Sequence, residues 1–250
     1  MMTDAAITLR GLTHAYPDGT PALHGIDLRI RPGESVAVVG ANGAGKSTLL
    51  LHLNGLLLPS AGDVTINGLP LLRANLARIR QIVGYVFQDA DDQLFMPTVQ
   101  DDVAFGPTNQ GLAAAEVQAR VQAALQAVGA LHLAARPPYR LSGGQKRAVA
   151  IAGVLAMAPD ILVLDEPSSG LDPAGRRRLI GLLQALRQTR VIASHDLDLV
   201  QEVCQRVLVL HDGRVQADGA PAALFADLAL LQRCQLEPPL GGPRRETAVD

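Results

Sequence analysis

Gly40-Ala41-Asn42-Gly43-Ala44-Gly45-Lys46-Ser47-Thr48 follows the apolar run Ser35-Val36-Ala37-Val38-Val39 and leads into Leu49-Leu50-Leu51-His52-Leu53. Strand, glycine-rich loop and helix, in that order, form the context in which such a loop wraps a phosphate. Gly40, Gly43 and Gly45 let the backbone curl tightly, so that N–H groups on either side of Asn42 point inward at an anion. The helix beginning near Lys46 adds the positive end of its dipole. Lys46 reaches the β- and γ-phosphates as a point charge, and Ser47, followed by Thr48, offers a hydroxyl to Mg²⁺. Only two of the 22 Lys and Arg residues are lysines, Lys46 and Lys146. A chain that writes Arg nearly everywhere keeps Lys where a rigid guanidinium fork fits poorly. The stretch reads as a nucleotide site.

The bulk numbers bound what surrounds it. At 250 residues the chain is one large domain or a domain with a smaller lobe. Aromatics are 3% and Trp is absent, so the core must be built of Ala, Leu, Val and Ile. A net charge of −2 argues against a bulk nucleic-acid binder, which would show a strongly basic face. Cys204 and Cys234 lack any C-x-x-C spacing and read as inert small side chains in a reducing compartment. Met1-Met2-Thr3-Asp4 carries no signal-peptide pattern. No apolar run approaches the ~20 residues needed to span a bilayer, so membrane work would require docking to a spanning partner.

Along the chain, Ile7–Arg10, Leu23–Ile30 and Gly62–Gly68 read as strands of an antiparallel layer beside the phosphate-loop strand. Gly84–Gln88 is a strand ending on glutamine. From Thr98 to about Gly129 the pattern is helical, with a break expected at Gly106-Pro107. No strand signal returns until Ile161, so roughly Asp89 to Met157 is expected to be a helical subdomain inserted into an α/β core. Strands at Ile161–Leu164 and Arg190–Ser194 alternate with helices at Pro173–Leu186 and Asp196–Cys204. A hairpin turns through His211-Asp212-Gly213, and residues 221–234 are mostly helical. The folded domain is expected over 1–235, with residues 236–250 a disordered tail rich in Pro and Gly.

Two further motifs carry chemistry. Ile161-Leu162-Val163-Leu164-Asp165-Glu166-Pro167 is a buried apolar strand ending in two acids. At such a strand tip Asp165 can hold Mg²⁺, and Glu166 can polarise an attacking water as general base. Leu141-Ser142-Gly143-Gly144-Gln145 runs into the helix from Lys146. Ser142 is a good N-cap, and the glycines leave N–H groups open to a second anion contact.

With these three motifs in this order, the chain resembles the ATP-binding-cassette (ABC) ATPases over essentially all of Ile7–Phe225. The resemblance implies an α/β P-loop NTPase core with an antiparallel β-layer and the inserted helical subdomain. It implies ATP and Mg²⁺ as ligands and assigns Tyr16 to stacking on adenine. Gln88 would touch Mg²⁺ and the attacking water, and His195 would hydrogen-bond the γ-phosphate. Ser142, Gly143, Gly144 and Gln145 would contact the ATP held by a second ATPase subunit, a copy or a paralogue, bound head to tail. Gly170 stands in Ser169-Gly170-Leu171-Asp172 where the family more often has Ala, a departure expected to matter little. His14, His24, His52, His132 and His211 read as surface or satisfied polar residues.

Within the family, Gln88-Asp89-Ala90-Asp91-Asp92-Gln93-Leu94-Phe95 is similar to the energy-coupling-factor group. There Asp91 and Asp92 would face arginines of a transmembrane coupling subunit, which puts this chain on the cytoplasmic side of the membrane. Met96–Val99, Ala104–Pro107 and His52–Leu56 look most like the cobalt/nickel import ATPases. Vitamin uptake stays open, because the cargo never touches this subunit. A soluble ABC ATPase and a P-loop phosphotransferase are the alternatives of other classes. The first lacks its usual coiled-coil insertion or second cassette here, and the second has no use for Leu141–Gln145.

Overall fold

The structure, a computed structural model, describes residues 5–242. Its strands are β1 (Ile7–Ala15), β2 (Pro21–Ile30), β3 (Ser35–Val39), β4 (Ala61–Ile66), β5 (Leu69–Pro70), β6 (Val83–Val86), β7 (Ile161–Asp165), β8 (Thr189–Ala193), β9 (Arg206–His211) and β10 (Arg214–Gly219). The helices are α1 (Lys46–Leu53), α2 (Leu76–Ile82), α3 (Val99–Asn109), α4 (Ala114–Ala127), α5 (Gly143–Ala156), α6 (Pro173–Ala185), α7 (Leu197–Val203), α8 (Pro221–Ala226) and α9 (Leu228–Arg233). The chain divides into two compact units, Met1–Arg80 with Gln188–Asp250, and Gln81–Arg187.

The first unit contains two kinds of sheet. β1 pairs antiparallel with β2 (Ile7 opposite Ile30) and with β4 (Ile7 opposite Ile66), as the alternating patterns of β1 and β2 require. β3 lies between β8 and β9, parallel to both, with Val36 opposite Val191 and Val38 opposite Leu208; β10 closes a hairpin on β9. Every residue of β3 is buried, which is why its five positions read as a continuous run rather than an alternation. Leu49, Leu50 and Leu53 of α1 are fully buried too, so the helix behind the phosphate loop is anchored over most of its length. The α2 helix, which straddles the boundary between the units, carries no strong sequence signal; it buries Ile79 alone.

In the second unit β6 and β7 run parallel, Val86 opposite Leu164. Val99, Val103, Val121, Leu125, Leu133, Leu141 and Val149 pack α3, α4 and α5 around one apolar cluster. This unit is wider than the inserted segment 89–157, because α5 lies directly on β6: a Cβ at Gly84 would sit 2.3 Å from Val154 Cγ1. The break expected at Gly106-Pro107 does not occur, and α3 runs through both residues to Asn109. Pro107 falls in the last turn, so the i→i−4 bond it cannot make is lost only near the end of the helix. Gly106 faces Met157, whose Cγ would lie 2.5 Å from a Cβ there, so the glycine serves close packing.

Part of the expected tail, residues 243–250, lies outside the described residues. In the described part, Pro239 is buried, and the N–H groups of Leu240 and Gly241 donate to the Asp198 carboxylate at 3.1 and 3.0 Å. Residues 239–241 are therefore tied down, against the disordered expectation. Among the described residues no helix is long and apolar enough to cross a membrane.

Candidate active site

The phosphate loop leaves the carboxyl end of β3. Gly43 (φ 80°) and Gly45 (φ 99°) adopt left-handed backbone that side chains resist. Gly40 is required for another reason: a Cβ there would lie 2.2 Å from the Leu210 carbonyl oxygen. Gly45 occupies the N-cap of α1 without any side-chain cap, so the first N–H groups of that helix are left for a ligand. Lys46 is buried, and its ammonium donates to the carbonyls of Gly40 (2.8 Å) and Ala41 (3.1 Å), which holds the cation across the mouth of the loop. Asn42 is exposed and Ser47 half-buried.

Thr48 is not free. Its hydroxyl is 2.8 Å from the Tyr16 hydroxyl, and its carbonyl is 2.7 Å from His52 Nδ1. His14 and His52 meet edge to face at 4.7 Å, and His14 meets Tyr16 in the same way at 5.1 Å. Both imidazoles are buried, and Nε2 of each has no hydrogen-bond partner among the described residues. They are therefore not surface residues, and each is half satisfied, Nδ1 of His14 lying 3.3 Å from the Leu58 carbonyl as Nδ1 of His52 lies against that of Thr48. His14 backs the Tyr16 ring and His52 backs His14, an arrangement the sequence hid because the two histidines lie 38 positions apart. His195 follows β8 and is exposed, at the same end of the parallel strands as the phosphate loop on β3.

In the second unit Gln88 and the Asp165-Glu166 pair emerge from the carboxyl ends of the neighbouring parallel strands β6 and β7. Gln88 is exposed. Asp165 is buried; its Oδ2 accepts from the Tyr85 hydroxyl at 3.2 Å, while its Oδ1 has no partner among the described residues. Burial, with the charge of Asp165 second, raises the Tyr85 pKa, so the phenol stays a donor. Glu166 is buried with φ 46°, a left-handed backbone that a glutamate adopts only under constraint.

The Leu141–Gln145 stretch opens α5 with a complete capping box. Ser142 Oγ accepts from Gln145 N (3.3 Å), and Gln145 Oε1 accepts from Ser142 N (3.0 Å). Ser142 and Gly143 are exposed, Gly144 and Gln145 half-buried, and nothing stands within 4 Å of where a Gly143 Cβ would be. Gly170 has φ 72°, a left-handed backbone that glycine adopts without the strain a side chain would bring. Asp91 and Asp92 are both exposed, and Asp91, expected to be available to a partner, also pairs with Lys146 at 2.5 Å.

Residues 23–169 match the family model described as ABC transporter. The chain belongs to this family. The ABC ATPase is 51% identical over 238 residues to the energy-coupling factor transporter ATP-binding protein EcfA of Methanothermobacter thermautotrophicus, covering 93% of this chain and 76% of that protein. Among solved structures it superposes on CbiO1 of Clostridium perfringens, described as part of the ABC transporter complex CbiONQ. The TM-score is 0.81 and the identity 42%, with 92% of this chain and 94% of that one covered. It also superposes on MJ0796, an ATP-binding cassette captured as a post-hydrolysis dimer with ADP and Pi. There the TM-score is 0.79 and the identity 30%, with 86% and 98% covered. The ABC ATPase is thus the ATP-binding, ATP-hydrolysing subunit of an ABC transporter, with the P-loop NTPase fold.

Proposed function

We propose that this ABC ATPase is the motor of an energy-coupling-factor importer that takes up a transition-metal ion, cobalt or nickel. The observation that carries the motor reading is the solvent-facing start of α5. A phosphate-ready helix N-terminus is built at Ser142–Gln145 and stands open in addition to the one at Lys46. In the proposed head-to-tail dimer, Lys46 and the α1 N–H groups grip the phosphates of one ATP, and the Ser142–Gln145 turn of a second copy closes over them. Neither half encloses the polyanion alone. The post-hydrolysis dimer of MJ0796 supports that arrangement. The names EcfA and CbiO1, together with the Asp89–Phe95 segment, support the importer type; the cargo reading rests on the likeness of Met96–Val99, Ala104–Pro107 and His52–Leu56 to the cobalt/nickel import ATPases.

The residues fit Mg²⁺. The Ser47 hydroxyl, the Gln88 amide and the Asp165 carboxylate are hard oxygen donors, and the buried Asp165 Oδ1 has no hydrogen-bond partner among the described residues, which leaves it open to a cation. When bound, Mg²⁺ would neutralise charge on the β- and γ-phosphate oxygens. Glu166 takes the proton of the attacking water, Gln88 orients that water, and His195 donates to the γ-phosphate. Tyr16 offers its ring to adenine. The protein works at the cytoplasmic face of the membrane, attached through a transmembrane coupling subunit.

Hydrolysis per subunit tests the dimer: it should fall steeply on dilution, and a rate flat with concentration overturns the two-sided grip. Glu166→Gln should keep ATP binding and lose hydrolysis by roughly 100-fold or more. Uptake of labelled cobalt or nickel by cells expressing the whole transporter tests the cargo. Vitamin uptake in its place would leave the motor intact and overturn the metal reading.

A further inference from the structure

Arg147 lies in the second turn of α5 and has no assigned part in the chemistry. The residue is buried, only 5% exposed. Nη1 donates to the Phe87 carbonyl at 2.5 Å and Nη2 to the Gln88 carbonyl, so the planar fork spans two successive carbonyls of the turn that leaves β6. A guanidinium suits this pairing and an ammonium does not. Nε is buried with no partner among the described residues. Burial lowers the Arg147 pKa, and the charges of Asp89, Asp165 and Glu166 oppose that shift. The cation is therefore set within the field of the two carboxylates that close β7. Two other ties join the same segment to α5. Gln93 Nε2 donates to the Ala150 carbonyl at 2.7 Å, and Lys146 pairs with Asp91 at 2.5 Å. Those ties reach the side chains of Gln93 and Asp91, whereas Arg147 grips the backbone of Gln88 itself.

We propose that Arg147 is a positioning residue for ATP hydrolysis. By clamping the Phe87 and Gln88 carbonyls it sets the point from which the Gln88 side chain projects, and it links that point to the helix headed by Ser142–Gln145. The inference rests on the reading of Gln88 as a residue that touches the attacking water.

A double-mutant cycle on the full chain tests it, with kcat, affinity for a fluorescent ATP analogue and melting temperature read for each variant. Arg147→Lys keeps the charge and loses the fork. It should lower kcat roughly 10- to 100-fold, the scale of a small misplacement, with ATP affinity within about twofold of wild type. In a Gln88→Ala background the same change should cost little more, because both act on one step. If the two losses multiply, Arg147 does not act through Gln88 and the inference fails while the Gln88 reading stands. If Gln88→Ala alone leaves kcat unchanged, the Gln88 reading fails and takes the inference with it. Should Arg147→Lys not fold, Arg147→Gln, a planar neutral donor, enters the same cycle. A parallel loss of affinity, melting temperature and kcat in both variants would mark Arg147 as structural and overturn the proposal.

Discussion

The Tyr16 hydroxyl lies 2.8 Å from Thr48 Oγ1, which ties the proposed adenine platform to the helix behind the phosphate loop. The ring also rests edge-on against His14, so its tilt is set from two sides. Tyr16→Phe keeps the ring and loses the tether; nucleotide affinity should fall about two- to tenfold, the worth of one neutral hydrogen bond. Thr48→Val should match it, and the double variant should be no worse than either alone. Tyr16→Ala removes the stacking surface as well and should bind more weakly than Tyr16→Phe. Fluorescent-nucleotide titration reads all four.

Gly40 and Gly43 separate crowding from backbone strain. A methyl at Gly40 meets the Leu210 carbonyl, backbone that cannot swing aside, so Gly40→Ala should cost ~1–3 kcal/mol in urea unfolding and disturb the carbonyl that holds Lys46. At Gly43 there is open space and only φ 80° to oppose a side chain. Gly43→Ala should cost about 1–2 kcal/mol, from the left-handed conformation alone.

Asp91 already has a cation. The Asp91 side of its pair with Lys146 is 65% exposed, so Asp91→Asn should change stability by less than ~1 kcal/mol. Reversing Asp91 and Asp92 to lysine should abolish co-purification with the transmembrane subunit and leave ATP binding intact. Lys146→Gln, which frees the Asp91 carboxylate, should bind that subunit at least as well as wild type. Loss of binding in Lys146→Gln would assign the contact to Lys146 instead.

His52 makes stability depend on pH. Burial disfavours its imidazolium and lowers its pKa below the ordinary histidine value, with the neighbouring His14 acting in the same direction. A base whose folded pKa is depressed binds fewer protons folded than unfolded. Its stabilisation is therefore whole above the unfolded value near ~6.5 and is lost as pH falls below it. The limiting slope for one such group is about 1.4 kcal/mol per pH unit. His52→Gln, which can still donate to the Thr48 carbonyl, should flatten the decline in unfolding free energy between pH 7 and 5. An unchanged slope would place the titration elsewhere.

The three motifs were legible because each is a local instruction. Glycines that need left-handed backbone, a Ser–Gln capping box and a five-residue apolar run ending in acids all act within a few residues of themselves. The α2 helix and the uninterrupted α3 were not, because Ile79 alone, and the groove over Met157, decide them through packing that only the folded chain supplies.

By itself, then, the sequence determined the cassette fold, the phosphate loop and the identity of the acids that follow β7. Tertiary structure alone decided who holds whom: Thr48 tethered to Tyr16, His14 set edge to face on His52, Asp91 neutralised by Lys146, and the Gln88 carbonyl clamped by Arg147. The partners in those pairs stand 32 to 59 positions apart. Backbone conformation is written in neighbouring residues, whereas a buried polar contact exists only after the chain has returned on itself and excluded water.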